Sequence, residues 1–152
     1  MTLNSSGSIQ TAVVDPIDAV TADLTAVQGI TNASGSLHVA NLVARNTGAG
    51  AVNDISLTND EAVQFSALNT ATVGGVIFTN TGAAATDVLE ITAGNVVSAN
   101  DVTITETVGN ILLTGSTTVG VNKLASYQAT AGSINARPFS RVARRTDGSS
   151  MS

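Results

Sequence analysis

The sequence predicts an all-β fold, and most directly a right-handed parallel β-helix in which short strands stack coil upon coil. Three observations support this prediction: a composition that favours strands and turns, corner residues that recur at short intervals, and an internal repeat. Alanine, threonine and valine supply 61 of the 152 residues, and charged residues make up only 11%. A helix bundle is instead rich in Leu, Glu, Lys and Arg, so the composition argues against helices.

A short unit recurs along the chain, in which a Gly, Asn or Asp residue leads into a few strand-like residues. Gly and Asn permit the left-handed backbone that sharp corners require. The β-branched residues that follow suit a pleated, half-buried surface. The unit occurs at 7–11, 35–39, 54–58, 75–79, 87–91, 94–97, 101–105, 109–113 and 132–135.

The longest internal repeat is the segment 46–58, which returns 34 positions later as 80–92. Each copy opens on Asn-Thr-Gly, continues with small residues and ends in a strand with alternating apolar positions. Alternation places Ile55 and Leu57 on one face of that strand and Ser56 on the other. The matching apolar residues of the second copy are Leu89 and Ile91.

Two architectures fit short strands separated by corners. One is a solenoid with coils of roughly 20 residues, and the other is an antiparallel β-sandwich with strands every ~8–12 residues. A sandwich of this length normally buries a large aromatic anchor, whereas a narrow solenoid interior needs few aromatic residues. The chain has three Phe and no Trp, which favours the solenoid. The Asn-Thr-Gly corners fit either fold, so the sandwich stays the alternative.

The N-terminal segment 1–28 differs from the rest, and we expect it to form a cap or arm. Between residues 13 and 28 some apolar residues follow helical spacing, with Asp15 placed to cap a helix and Pro16 at its first position. This pattern predicts a short capping helix or a first irregular coil. The helically spaced residues are Ile17, Val20, Leu24 and Val27.

We expect residues 29–136 to form the β-repeat body and 137–152 to form a basic C-terminal tail. Residues 1–122 hold ten acids and one base, Arg45, whereas residues 123–152 hold five bases and one acid. An acidic body does not attract nucleic acid through its general field, so no nucleic acid partner is expected of the body. The tail is predicted to be a solvated segment, with nucleic acid binding as the less favoured alternative; its arginines are Arg137, Arg141, Arg144 and Arg145.

The sequence argues against an enzyme. Cysteine is absent, which excludes disulfides, thiolate metal sites and cysteine nucleophiles. His38 is the single histidine, so a Ser-His-Asp triad would depend on it, and zinc seldom accepts a site made almost entirely of carboxylates. We expect no catalytic, cofactor-binding or metal-binding residues and no cofactor. The few aromatic residues argue against a stacking platform for glycans or bases; they are Phe65, Phe78, Tyr127 and Phe139.

The polar residues that most resemble sites have simpler interpretations. Alternation turns His38 away from its apolar neighbours, which predicts a solvent-facing strand residue. Asp60 and Glu61 form an acidic pair in a predicted turn, but no D-x-D-x-D-G loop surrounds them, which favours a solvated corner over a calcium site. Other acids occupy predicted turn positions, where Asp is favoured for backbone reasons; they are Asp54, Asp87 and Asp101.

Two further patterns resemble ligand-binding motifs, but the demands of turns and strands explain both. Gly48 and Gly50 lack the third glycine of a nucleotide-binding loop, so they are predicted to be corner glycines. Thr103, Thr105 and Thr107 line one strand face, and flat threonine arrays bind ice when neighbouring strands repeat them in register. We expect the neighbouring coils not to repeat this triplet, so ordinary β propensity accounts for it.

The segments 28–37, 94–104 and 108–115 resemble the repeats of very large bacterial exoproteins of the filamentous haemagglutinin type. The resemblance covers roughly residues 24–136 and is one of repeat texture. It implies a right-handed parallel β-helix, export to the cell surface, and adhesive or structural work. The chain departs from that family in being short, in lacking an export signal over residues 1–14 and in ending on a basic segment. The Asn-Thr-Gly units also resemble the small sandwich repeats of bacterial surface proteins.

Together these observations predict a non-enzymatic structural or adhesive protein, extracellular or on the cell surface, that self-associates into filaments or arrays. Self-association is expected because an uncapped solenoid ends in strand edges that recruit further strands. The alternative is a β-sandwich module that recognises a protein or a glycan. No apolar run approaches the ~20 residues of a membrane-spanning helix, so no membrane span is expected.

Overall fold

A computed structural model describes residues 1–11, 17–32, 35–48, 53–82, 84–137 and 142–144 of the chain. These residues form a parallel β-solenoid of about five turns, and none of them is helical. The predicted fold is therefore confirmed, and the antiparallel sandwich is wrong.

Two parallel sheets form the walls of the solenoid. One sheet, sheet A, contains nine strands: β1 (Thr2–Asn4), β3 (Asp18–Ala26), β5 (His38–Asn46), β7 (Val63–Asn69), β9 (Val88–Ser98), β11 (Asn110–Leu113), β12 (Thr117–Val119), β14 (Ile134–Ala136) and β15 (Val142–Arg144). The other, sheet B, contains six: β2 (Ile9–Thr11), β4 (Ile30–Asn32), β6 (Ile55–Asn59), β8 (Val76–Asn80), β10 (Val102–Glu106) and β13 (Ala125–Ala129).

The chain alternates between the sheets, so each coil adds one layer to both of them. A coil takes 20 residues from Asp18 to its partner His38 but 26 from Val76 to Val102. Coils of unequal length keep the same register because the extra residues lie in the corners and in an irregularity of β9, where the pairing shifts between Phe65–Ile91 and Ala67–Val96. In the later coils sheet A is built from two strand segments, β11 with β12 and then β14 with β15.

The interior is a continuous stack of aliphatic side chains with one aromatic pair. Alternate residues of each strand point inward, and most of these are fully buried. At the middle of the stack Phe65 of sheet A and Phe78 of sheet B face each other, with ring centroids 4.0 Å apart and planes 8° from parallel. Both rings have no exposed surface. One column of sheet B consists of Ile9, Ile30, Ile55, Val76, Val102 and Ala125.

Buried amide ladders hold the two corners. At the end of sheet A, Nδ2 of Asn46 donates to Oδ1 of Asn69 over 3.0 Å. At the end of sheet B, Nδ2 of Asn59 donates to Oδ1 of Asn80 over 3.1 Å, and Nδ2 of Asn80 donates to Glu106 over 2.7 Å. All five side chains are buried, so the ladders satisfy polar groups where the chain must turn.

The residue after each ladder position is usually threonine, and it bonds to the coil below. Both the backbone N–H and the hydroxyl of Thr47 donate to the carbonyl of Ala26. Thr70, Thr81 and Thr107 make the same pair of bonds to the carbonyls of Asn46, Asn59 and Asn80. At Gly48 a Cβ atom would lie 1.7 Å from the carbonyl oxygen of Val27, so only glycine fits this corner. The Asn-Thr-Gly signal is thus a corner device that ties successive layers together.

The 34-residue repeat is not the structural repeat. Ile55 lies on β6 of sheet B, whereas its sequence match Leu89 lies on β9 of sheet A. A shift of 34 residues spans about one and a half coils, so it superimposes the corner of one sheet on the corner of the other. The repeat persists because both corners use the same Asn-Thr device.

The predicted capping helix is also wrong. Residues 18–26, within the helical prediction, form the strand β3, which pairs with β1 and β5; residues 12–16, including Asp15 and Pro16, lie outside the described part of the chain. Ala22, Leu24 and Ala26 are buried at alternate positions, whereas Val20 is 75% exposed. Burial along β3 thus follows the two-residue period of a strand. The pairing of β3 with its neighbours outweighs the apparent helical spacing of its apolar residues.

Candidate functional site

His38, Asp60 and Glu61 form a surface cluster, although they are 22 residues apart in sequence. His38 begins β5, and the acidic pair follows β6, so the stacking of coils brings them together. Nδ1 of His38 lies 2.8 Å from Oδ1 of Asp60, and Nε2 lies 3.3 Å from Oε2 of Glu61. The side chain of His38 is 50% exposed, which confirms that it is a solvent-facing strand residue. Both ring nitrogens face carboxylates, so the cluster is an electrostatic clamp between coils.

The carboxylates also change the proton affinity of the ring. The hydrogen bond with Asp60, followed by the charge of Glu61, raises the pKa of His38 above its ordinary value of 6.5. A raised folded-state pKa means that protonated His38 stabilises the fold below pH 6.5, and that this stabilisation is lost as the pH rises through the raised value.

We expect Asp60→Asn to lower the pKa of His38 more than Glu61→Gln does, because the hydrogen bond with Asp60 is the larger cause. Proton NMR titration of the imidazole measures this directly, since the chain has a single histidine. The Glu61→Gln variant is the matched control. Equal pKa values in the two variants would contradict the clamp geometry.

The other acids of the predicted turns bond to backbone groups. Oδ1 of Asp54 accepts from the N–H of Gly75 over 2.8 Å, and Oδ1 of Asp101 accepts from the N–H of Leu124 over 2.8 Å. Asp87 precedes β9 and accepts from the N–H of Ala84 over 2.9 Å. The interpretation of these residues as turn formers is confirmed. Among the residues that the structure describes, no group of three or more His, Cys, Asp or Glu side chains is arranged so that it could hold a metal ion.

The threonine array is partly repeated by neighbouring coils. Thr105 pairs in register with Thr79, and Thr79 pairs with Thr58, so the expectation that neighbours do not repeat the position is wrong there. Thr103, however, pairs with Ile77, and Thr107 belongs to a corner. The column of Thr58, Thr79 and Thr105 is therefore continuous. The neighbouring column, which includes Ser56, Thr103 and Ser126, is interrupted by Ile77. Gly48 is a corner glycine as predicted, and Gly50 lies outside the described residues.

The remaining candidate is formed by the two ends of the solenoid. We call the outer edges of β1, β2 and residues 18–22 of β3 the N-terminal face. We call the outer edges of β13, β14 and β15 the C-terminal face. Within the described residues, each of these edges has a strand neighbour on one side only.

Apolar side chains of the outermost layers of sheet A are exposed. Leu3 of β1 lies in an inward column and is 38% exposed, while its partner Leu24 in the next layer is fully buried. At the other end Ile134 of β14 is 46% exposed, while its partner Ile111 is fully buried. Within the described residues no further layer of sheet A covers these two side chains, so apolar groups of its interior columns meet solvent. In sheet B the inward residue of the outermost strand β2, Ile9, is only 8% exposed.

The basic tail lies largely outside the described residues. Its described parts extend the solenoid: the N–H of Arg137 donates to the carbonyl of Leu113 over 3.0 Å, and Val142–Arg144 pairs with β12. Arg45, the only base of residues 1–122, forms an ion pair with Asp23 on the outside of sheet A. The described residues contain no helix that is long and apolar enough to cross a membrane.

Comparisons with protein-family models, with curated proteins and with solved structures found no match.

Proposed function

We propose that the protein is a non-enzymatic structural component of an extracellular or cell-surface layer, and that its solenoids associate with one another into filaments or arrays. An adhesive role accompanies the structural one. The single observation that carries the proposal is the pair of end layers: among the described residues both sheets end in strands with a neighbour on one side only, and in sheet A the apolar side chains of Leu3 and Ile134 are exposed there.

The side walls and the interior support a structural role. The described interior is filled with aliphatic side chains and with buried amides that bond to each other and to the backbone. Among the described residues, no buried side-chain nitrogen or oxygen lacks a hydrogen-bond partner. A stack of this kind resists local unfolding, because each layer is hydrogen-bonded to the next.

The repeat texture supports a surface location. The segments 28–37, 94–104 and 108–115 resemble filamentous haemagglutinin-type exoproteins, whose β-helices serve in adhesion. This resemblance extends over the part of the chain that builds the solenoid. Protease treatment of intact cells of the source organism tests the location, because a surface protein is cleaved while cytoplasmic proteins survive.

Sedimentation velocity and electron microscopy of the chain 1–152 test self-association. We expect rods that lengthen with protein concentration, and aligned rods that give a reflection near ~4.8 Å along their axis from stacked parallel strands. A stable monomer at the highest concentration attainable would refute the self-association.

A second candidate function is the binding of a partner in a groove on the outside of sheet A. The groove has a volume of about 430 Å³ and is lined by apolar residues, among them Leu68, Val97 and Val121, and by four polar residues, Asn69, Thr70, Ser98 and Thr118. It therefore combines a small apolar surface with polar groups that can orient a ligand. Fluorescence of an apolar dye tests it: Leu68→Asp would abolish the enhancement, and the Val73→Asp variant, at an exposed position outside the groove, would keep it.

A further inference from the structure

We infer that copies of this chain join head to tail by strand exchange, in which β1 of an incoming copy replaces β15 of the resident copy on β12. This inference rests on the proposed self-association and specifies its partner, polarity and strand register. The partner is a second copy of the chain, and the interface consists of the N-terminal face of one copy and the C-terminal face of the other.

The polarity follows from strand direction and charge. All strand pairs of both sheets are parallel, so only a head-to-tail contact continues the same hydrogen-bonded ladder. Residues 1–30 hold three acids and no base, whereas residues 123–152 hold five bases and one acid. In the sequence, charge therefore favours contact between the two unlike ends over contact between like ends.

Sheet B continues without a break in this arrangement. The column that begins at Ile9 reaches Ala125, so Ile9 of the incoming copy stacks on Ala125 and Gln10 stacks on Ser126. Strand β2 thereby becomes the next layer above β13. Its outward residue Gln10 and the outward Ser126 are both exposed, as expected of positions that lie on the outer wall.

The part of sheet A that is formed by the N-terminal halves of its long strands and by β11 and β14 continues in the same way. The column of Ala22 passes through Leu42, Phe65, Ile91 and Leu113 to Ala136. Residues 18–22 of the incoming β3 therefore stack on β14 of the resident copy. This contact covers the exposed side chain of Ile134 with the layer that it lacks.

The rest of sheet A, formed by β1, by the C-terminal halves of the long strands and by β12 and β15, has no free layer for an incoming strand, which is why exchange is required. The column of Leu3 passes through Leu24, Ala44, Ala67, Val96 and Thr117 to Val142. Strand β15 already occupies the seventh layer of this column. An incoming β1 must occupy that same layer if β2 is to rest directly on β13, which forms the sixth layer of sheet B.

Counting strand pairs favours exchange over simple stacking. With exchange the contact gains three pairings, β2 on β13, β3 on β14 and β1 on β12, and loses only that of β15 with β12. If β15 stays, β1 rests on β15, and a gap of one strand separates β2 from β13 and β3 from β14. Each pairing contributes backbone hydrogen bonds and buried columns, so the exchanged contact is the more stable one.

Engineered cysteines distinguish the two arrangements, because the natural chain has none. In the exchanged contact Asn4 of one copy lies beside Thr118 of the other, since their column runs through Thr25, Arg45, Leu68 and Val97. Neighbouring Cα atoms in adjacent parallel strands, ~4.8 Å apart, are within disulfide range. Within one copy the two residues lie five layers apart, so no internal disulfide forms.

We expect the double variant N4C/T118C to give a ladder of covalent oligomers on oxidation. The matched control is N4C/A143C, because Ala143 pairs with Thr118 and would lie beside Asn4 only if β15 stayed in place. A ladder from N4C/A143C but not from N4C/T118C would overturn strand exchange and leave self-association intact. Dimers alone from the single variant N4C, with no ladder from either double variant, would show that like faces meet and would overturn the head-to-tail polarity.

A second pair tests sheet B independently. Q10C/S126C is expected to give the same covalent ladder, whereas Q10C/Q128C, displaced by two residues along β13, is expected to give none. If the unmodified chain stays monomeric by sedimentation, the proposed self-association fails. If it assembles and Q10C/S126C gives no ladder, only the strand register inferred here fails.

Discussion

Replacing Phe78 by alanine is expected to lower the free energy of unfolding by about 3–5 kcal/mol, the range seen when a fully buried aromatic ring is truncated. Phe78 has no exposed surface and stacks on Phe65 across the narrow interior, 4.0 Å between ring centroids. Its column neighbours Leu57 and Ile104 are held by parallel pairing, so they cannot collapse into the cavity without disturbing two coils. Urea denaturation followed by circular dichroism measures the loss.

The neighbouring Ile77 supplies the matched control. It lies on the same strand, points to the outside and is 45% exposed, so Ile77→Ala is expected to cost less than about 1 kcal/mol. A double-mutant cycle with Phe65→Ala should show a coupling of about 0.5–1.5 kcal/mol between the rings. Equal losses from Phe78→Ala and Ile77→Ala would mean that the two rings do not anchor the core.

The solenoid itself was predictable from sequence because its corners use a small set of residue types. Gly, Asn and Asp precede short β-branched segments, and the structure places Asp54, Asp87 and Asp101 directly before or within one residue of a strand. Backbone demands at a corner are local, so a local pattern reveals them. The scarcity of aromatic residues also indicated a solenoid, since a narrow interior admits few rings.

The pairing of distant residues could not be predicted. His38 meets Asp60 and Asp23 meets Arg45 because a coil separates each pair, and coil lengths vary between layers. A repeat of constant length would have revealed these contacts. In this chain the coil length varies with the corner loops and with the irregularity in β9, so the register appears only when the strands are stacked.

The buried amides were missed for another reason. Asn46, Asn59, Asn69 and Asn80 each end a strand, and in the sequence they are indistinguishable from exposed turn residues. Asparagine is common at exposed turns, and burial costs free energy unless every polar atom is bonded. Only the stacking of one corner on the next supplies those bonds. The spacing of Asn46 and Asn69, and of Asn59 and Asn80, is the signal in the sequence that identifies the ladders in retrospect.

Replacing Asn69 by aspartate is expected to be among the most damaging single changes, although it alters one atom. Oδ1 of Asn69 accepts from Asn46 and from the N–H of Ala71, each over 3.0 Å. Nδ2 donates to the carbonyls of Asn53 over 2.9 Å and Gly75 over 2.8 Å. A carboxylate oxygen in place of Nδ2 would face two carbonyl oxygens without a proton between them, inside a corner that is 1% exposed.

An uncompensated buried charge costs about 3–5 kcal/mol, so we expect Asn69→Asp to lose that much unfolding free energy at neutral pH. Protonation relieves part of the loss, because a carboxylic acid donates to one of the two carbonyls. Burial raises the folded-state pKa of the new group above its unfolded value, so the deficit relative to the natural chain shrinks as the pH falls below that raised pKa.

The exposed corner residue Asn122 provides the matched substitution, and Asn122→Asp should change stability by no more than about 0.5 kcal/mol at any pH. Urea denaturation of both variants between pH 4 and pH 8 tests the expectation. Asn69 is buried within a ladder, whereas Asn122 is exposed and belongs to none, so equal stabilities of the two variants would show that the ladder does not stabilise the fold. A deficit for Asn69→Asp that stays constant with pH would instead assign the loss to packing rather than to charge.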